Sequence, residues 1–316
     1  MSRQIPSSTL VVGTRGSLLA RAQSAWVIER LAEAHRGLDV QMCVIRTTGD
    51  KLRGRPLPEI GGKGLFTLEL ETALRDERID LAVHSAKDLP TELGEGLEIA
   101  AMPPREDSRD AWVSADGSPL EKLATGSTVG TSSLRRQAQL RMRCGELRFV
   151  NLRGNVDTRL KKIGRGDCAG AVLAMAGLIR AGLADHVTHP LDPADFIPAP
   201  GQGALALETR VDDAHVRDLL AVIHDHDTQM AVECERGVLA ALDAGCHAPV
   251  AVHAVIAADG LRCRALVADP SGRRVATADV RTGKNDPHEC ITRVVAELRR
   301  GGADAIIAAC RSEPLP

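Results

Sequence analysis

Residues 80–90 read Asp80-Leu81-Ala82-Val83-His84-Ser85-Ala86-Lys87-Asp88-Leu89-Pro90. A short apolar run stops at polar residues, and Asp88 and Pro90 are residues that make turns. The stretch predicts a buried strand over 80–84 that ends in a polar turn. Upstream, 9–13 and 38–45 read as two further strands. Between them, 17–34 reads as a helix with Leu19, Ala22 and Trp26 on one face. A helix over 65–75 precedes Asp80. Strand and helix alternate, which is the pattern of an open α/β sheet.

The same alternation returns downstream. Residues 102–108 hold Pro103 and Pro104 and then mostly charged residues, and they read as a linker. Beyond them, strands are predicted at 111–114, 128–130, 148–152 and 169–174, with helices at 134–142 and 156–163. Ile197-Pro198-Ala199-Pro200 reads as a second crossing. After Val211 the character changes to helices at 214–223 and 228–242, strands at 250–257, 262–267 and 274–280, and a helix at 289–299. That order suggests a small α+β domain. Two α/β units joined by two proline-containing crossings imply a hinged cleft.

Composition narrows the function. The chain has 316 residues, enough for two or three domains. Aromatic residues are 2% with no Tyr, so the core is expected to be aliphatic, and base-stacking nucleic-acid modules are disfavoured. Net charge is −2, but residues 135–165 carry ten Lys/Arg against Glu146 and Asp157. This local excess points to an anionic partner. No apolar stretch is long enough for a membrane helix, and no secretory leader is legible at the start. Eight cysteines lie scattered without C-x-x-C pairs, which reads as reduced cytosolic thiols without a metal site.

Several segments carry candidate chemistry. Asp88 follows a strand end, where open α/β sheets bind ligands. There it is either a catalytic carboxylate or the cap of a surface turn. Thr131-Ser132-Ser133-Leu134-Arg135-Arg136 begins a helix. It offers amides, hydroxyls and two Arg to a carboxylate or phosphate, or else it is an N-cap with solvated Arg. Thr14-Arg15-Gly16-Ser17 repeats that logic, and Arg153 and Arg159 flank another helix start. Gly61-Gly62-Lys63-Gly64 lacks the order of a nucleotide-binding loop and reads as a mobile loop. His224-Asp225-His226-Asp227 reads as a solvated helix end. Cys246 sits in the loop Ala244-Gly245-Cys246-His247, either as an accessible thiol or as a buried small hydrophobe.

Taken in order, Gly13-Thr14-Arg15, Gly61 to Phe66, Val83 to Asp88, Gly130 to Arg136, Leu152 to Val156, Ile197 to Leu205 and Gly245-Cys246 resemble the porphobilinogen deaminase family over nearly the whole chain. The resemblance implies two hinged α/β domains like type II periplasmic binding proteins plus a small C-terminal α+β domain. Their expected bounds are 1–103 with 204–221, then 109–197, then 226–316. It implies head-to-tail condensation of four porphobilinogen molecules with loss of ammonia. The condensation takes place on a dipyrromethane cofactor held through a thioether to Cys246. It further implies Asp88 as the catalytic carboxylate. Lys87, Thr131, Ser133, Arg135 and Arg136 would hold the cofactor. Arg15, Ser17, Arg153, Arg159 and Arg180 would hold substrate carboxylates, with Lys63 and Phe66 in the mobile loop. A cytoplasmic monomer is implied, with no metal, nucleic acid or membrane partner. Glu59 stands where some members have a second Lys, and Ala244 where the cysteine loop often has Gly. The competing class is a hinged anion-binding protein without catalysis, which would give Cys246 no role.

Overall fold

Residue-by-residue alternation along the strands sets the layers of each sheet, because successive side chains point to opposite faces. The computed structural model describes residues 9–47, 67–152, 154–244, 248–284 and 286–312. The chain divides into two compact units. One is Met1–Arg105 with Ala204–His226, and the other is Glu106–Gly203 with Asp227–Pro316.

The first unit opens with β1 (Leu10–Arg15), α1 (Leu18–Ala34), β2 (Val40–Ile45), α2 (Leu68–Arg75), β3 (Leu81–Ser85) and β4 (Leu97–Ala101). The chain then builds β5 (Asp110–Ser114), β6 (Thr128–Gly130), α3 (Leu134–Cys144), β7 (Arg148–Val150), α4 (Val156–Gly164), β8 (Gly170–Ala174), α5 (Met175–Arg180) and β9 (His189–Pro190) in the second unit. It returns to the first unit for β10 (Leu205–Arg210) and α6 (Ala214–Leu220). It finishes with α7 (His226–Leu242), β11 (Val250–Ala257), β12 (Gly260–Ala268), β13 (Val275–Thr282), α8 (Pro287–Arg300) and α9 (Ala303–Ser312).

The first sheet has the order β2-β1-β3-β10-β4, and the second has β7-β6-β8-β5-β9. In each, four strands share one direction and one antiparallel strand is inserted between the third and the last. The inserted strands, β10 and β5, are the ones that follow the two crossings. In the first unit, Leu10, Val12, Leu81 and Val83 face α1 and α6, while Ala82 faces the Leu70, Ala73 and Leu74 side of α2. Gly13 falls on the α2 face, and a Cβ there would lie 2.3 Å from Ile79 Cδ1. Only glycine admits that close approach. Gly130 in β6 answers it in the second sheet, where a Cβ would lie 2.9 Å from Leu152 Cδ2.

Among the described residues, the second unit's core holds two fully buried aromatic side chains, Trp112 and Phe196. The Trp112 indole donates to Ser118 O at 2.9 Å, which satisfies its one polar atom. The C-terminal sheet, β11-β12-β13, is antiparallel and packs on α7, α8 and α9. It shares a small core with α3 and the segment after β9 through Ala138, Ile197, Ala251 and Leu266. The parts expected at 109–197 and 226–316 thus lie in one compact unit. The strands predicted at 148–152 and 9–13 end instead at Val150 and Arg15. Among the described residues, no helix is long and apolar enough to cross a membrane.

Candidate functional site

The carboxyl edge of the first sheet gathers one set of candidates. Parallel pairing of β1 with β3 brings Arg15, the last residue of β1, to the same edge as the turn after β3. That turn, Ala86–Asp88, is a single 3-10 turn. Ala86 N–H donates to Ala204 O at 3.0 Å, and Leu89 is buried, so the turn is fixed at both ends. Lys87 and Asp88 between these anchors are exposed. Among the described residues, Asp88 has no hydrogen-bond or ion-pair partner, so its carboxylate is open to a ligand's N–H.

Beneath the turn, His84 Nε2 lies 2.9 Å from Glu208 Oε2, with both side chains buried. The pair ties β3 to β10 just before the turn. Ser85 Oγ accepts from Gln23 Nε2 at 3.0 Å, joining the strand end to α1. Ser17 caps α1 by accepting from Ala20 N–H at 3.2 Å. Its hydroxyl therefore sits at a helix N-terminus, where anions are favoured. Lys63 and Phe66 lie outside the described residues. The residues described on either side of them are Thr47, just past β2, and Thr67, just before α2.

The second sheet's carboxyl edge gathers the rest. Thr131 follows β6, and its hydroxyl accepts from Ser133 N–H at 3.2 Å. Ser133 in turn accepts from Arg136 N–H at 3.4 Å and caps α3. Arg135 and Arg136 begin that helix but are not solvated: they are 6% and 8% exposed. Both reach Asp110, the wholly buried first residue of the antiparallel strand β5. Arg135 Nη1 donates to Asp110 Oδ2 and to Ile197 O, each at 2.8 Å. Arg136 donates to Asp110 Oδ1 from Nε at 3.0 Å and Nη2 at 2.6 Å, and to Val172 O from Nη1 at 2.9 Å. Gln202 Nε2 adds a bond to Asp110 Oδ1 at 3.0 Å.

Burial alone would raise the Asp110 carboxyl, but the Arg135 and Arg136 charges outweigh it and hold the group well below the usual carboxylate range. Burial also lowers the Arg135 guanidinium, against the pull of Asp110. One buried carboxylate thus serves two buried cations. The hydrogen bonds of Arg135 all leave from Nη1.

Arg159 lies on α4, and its Nε donates to Gly154 O at 2.9 Å across the helix start. Gly154 holds φ +112°, a conformation other residues avoid. Arg180 ends α5 and donates to Gly203 O at 2.9 Å. Burial lowers its guanidinium, and Glu106 offsets part of that. Arg153 and Cys246 lie outside the described residues. The chain enters the Cys246 loop from α7 and leaves it for β11. α7 is pinned by Glu235, fully buried, which accepts from Gly201 N–H at 2.6 Å and Ala254 N–H at 2.7 Å. The His224 to Asp227 segment is more than a solvated end: His224 Nδ1 accepts from Met102 N–H at 3.2 Å.

Sequence reasoning missed Asp110, Gln202 and Glu235. Asp110 sits one residue before the predicted strand 111–114 and was assigned to no element. Its only signal was an acid placed at the edge of an otherwise apolar strand.

The chain is similar to known proteins along its length. The description "Porphobilinogen deaminase, dipyromethane cofactor binding domain" matches residues 10–218, and "Porphobilinogen deaminase, C-terminal domain" matches 229–300. A porphobilinogen deaminase of Syntrophobacter fumaroxidans is 47% identical over 297 residues, covering 94% of this chain and 96% of the relative. One of Syntrophotalea carbinolica is 45% identical over 310 residues, covering 98% of each. Among solved structures, the periplasmic aliphatic sulphonate binding protein SsuA of Escherichia coli matches 76% of this chain and 71% of its own, at 16% identity and a TM-score of 0.40. The BenM effector binding domain with benzoate matches 68% and 90%, at 15% identity and a TM-score of 0.41. At such scores these two likenesses carry no weight for the function.

Proposed function

Because the chain belongs to the porphobilinogen deaminase family, we propose that Asp88 is the carboxylate serving each condensation and that the arginines described above hold the carboxylates of cofactor and substrate. The enzyme is a transferase, a hydroxymethylbilane synthase of haem biosynthesis. It joins four porphobilinogen molecules head to tail with release of ammonia, on a dipyrromethane cofactor. The three-domain division, 1–103 with 204–221, 109–197 and 226–316, belongs to the same reading.

The observation that carries the assignment of Asp88 is its placement. It stands exposed and unpartnered among the described residues on a turn fixed by Ala86 and the buried Leu89. Loss of ammonia from porphobilinogen leaves a cationic ring, and a carboxylate at the pyrrole N–H stabilises that charge. A positioned group of this kind lowers a barrier by about 3–4 kcal/mol.

The second sheet's edge fits a polycarboxylate cofactor by its donor set. The capped start of α3, the Thr131 and Ser133 hydroxyls and the donors of Arg135 not used by Asp110 are all suited to carboxylate oxygens. Arg136 contributes its charge, its Nε and both Nη atoms being already engaged within the unit. Lys87 adds a cation. When bound, through a thioether to Cys246, the cofactor supplies the pyrrole carbon to which the first new ring is joined. Arg15, Ser17, Arg153, Arg159 and Arg180 hold the carboxylates of incoming substrate, and Lys63 and Phe66 belong to a loop over it. The enzyme works as a cytoplasmic monomer without nucleic acid.

Incubation with porphobilinogen tests the reading. Four ammonia are expected per linear tetrapyrrole released. Binding of porphobilinogen without ammonia release would place the chain among non-catalytic anion-binding proteins.

A further inference from the structure

Three thiols that no local spacing connects meet in the C-terminal core. Cys234 lies on α7, Cys263 on β12 and Cys290 in the first turn of α8. Their sulfurs all lie within 4.8 Å of one another, and all three residues are 0% exposed. All are free of disulfides. The surroundings are apolar, with Val238, Val252, Leu261, Val280, Val294 and Leu298 in the same cluster.

Packing alone does not call for this convergence. A buried thiol acts as a small hydrophobe and is content against any apolar atom. Here three separate elements each turn a sulfur toward the other two. Metal–sulfur bonds of ~2.3 Å at tetrahedral angles space sulfurs by about 3.8 Å, so small rotations suffice to close the triad on an ion. Among the described residues the cluster has no histidine or carboxylate member, and an all-sulfur donor set selects soft, thiophilic ions.

We propose that Cys234, Cys263 and Cys290 bind one zinc ion as a structural clasp of the C-terminal sheet. On binding, three S–H bonds break, three zinc–sulfur bonds form and three protons leave to solvent. No electron moves. The three thiolates then leave a net charge of −1 with Zn2+ and would leave −2 with Cu+, and an apolar core penalises the second more. The clasp would join α7, which leads into the Cys246 loop, to β12 and α8.

The test uses the full-length reduced enzyme, purified without chelator, then given one equivalent of Zn2+ or Cu+ and exchanged into buffer. Native mass spectrometry counts the ions retained. Cys234→Ala and Cys290→Ala are compared with wild type, and Cys43→Ala serves as a control from the first unit. One zinc is expected on wild type and on Cys43→Ala, with none on either triad variant. Prolonged chelation should lower the thermal midpoint of wild type and leave those of the triad variants unmoved. Wild type that keeps no zinc, wild type that keeps Cu+ in preference to zinc, or triad variants that keep the zinc would each overturn the proposal. The wild-type arm decides even if a variant fails to fold.

Discussion

Arg136 grips a single oxygen of Asp110, Oδ1, with Nε at 3.0 Å and Nη2 at 2.6 Å, while Arg135 holds the other oxygen at 2.8 Å. One buried carboxylate thus fixes two adjacent cations at the start of α3. Without it, two guanidinium groups would stand in a dry site at close range. The arrangement keeps the net positive charge of the trio near one.

Asp110→Asn should therefore destabilise the protein by about 3–5 kcal/mol, the usual cost of removing one partner from a buried ion pair. Denaturant unfolding reads this directly. The pH dependence has a definite sign. The folded carboxyl lies below the ~3.9 of an unfolded Asp, so the wild-type advantage is full above that value and shrinks as pH falls through the folded pKa. A difference between wild type and variant that shrank on raising the pH from 5 to 8 would contradict the assignment.

Asp88→Asn should behave in the opposite way. The side chain is exposed and has no partner among the described residues, so stability should change by less than ~0.5 kcal/mol. Turnover should fall about 100- to 1000-fold, in line with loss of one transition-state donor or charge. Parallel unfolding curves and steady-state rates check both halves. Normal turnover in the variant would remove Asp88 from the chemistry.

Gly13→Ala should cost about 1–3 kcal/mol, the range for overpacking a close contact. The new Cβ would lie 2.3 Å from Ile79 Cδ1 on the α2 face of β1. A shift of the urea midpoint at unchanged slope is the expected result.

Arg180→Ala should raise KM for porphobilinogen roughly 10- to 100-fold, as expected when a charge-assisted hydrogen bond of about 1.5–3 kcal/mol is lost. The value of kcat should change less, because the group holds substrate without touching the reacting carbon. Arg180→Lys should recover part of the KM. An unchanged KM in Arg180→Ala would remove this residue from the substrate carboxylates.

The alternation of apolar runs made both α/β units and the C-terminal α+β part legible, because period and turn residues are local signals. The position of Asp88 was legible for the same reason, since a strand end followed by turn residues can be read from neighbours alone. What could not be read was pairing across distance. β10 was not among the predicted strands, and only folding shows it antiparallel beside β3. Arg135 and Arg136 look like solvated helix-start cations until Asp110 is brought to them. The three sulfurs of Cys234, Cys263 and Cys290 sit on two helices and a strand far apart in the chain, and no spacing rule connects them.

The central claim is that this chain works on a dipyrromethane anchored at Cys246, and intact-protein mass spectrometry of the active enzyme tests it most directly. Wild type should exceed the mass of its sequence by that of one dipyrromethane, located to the peptide containing Cys246, and Cys246→Ala should carry no excess and turn over no porphobilinogen. Active wild-type enzyme of unmodified mass would contradict the account.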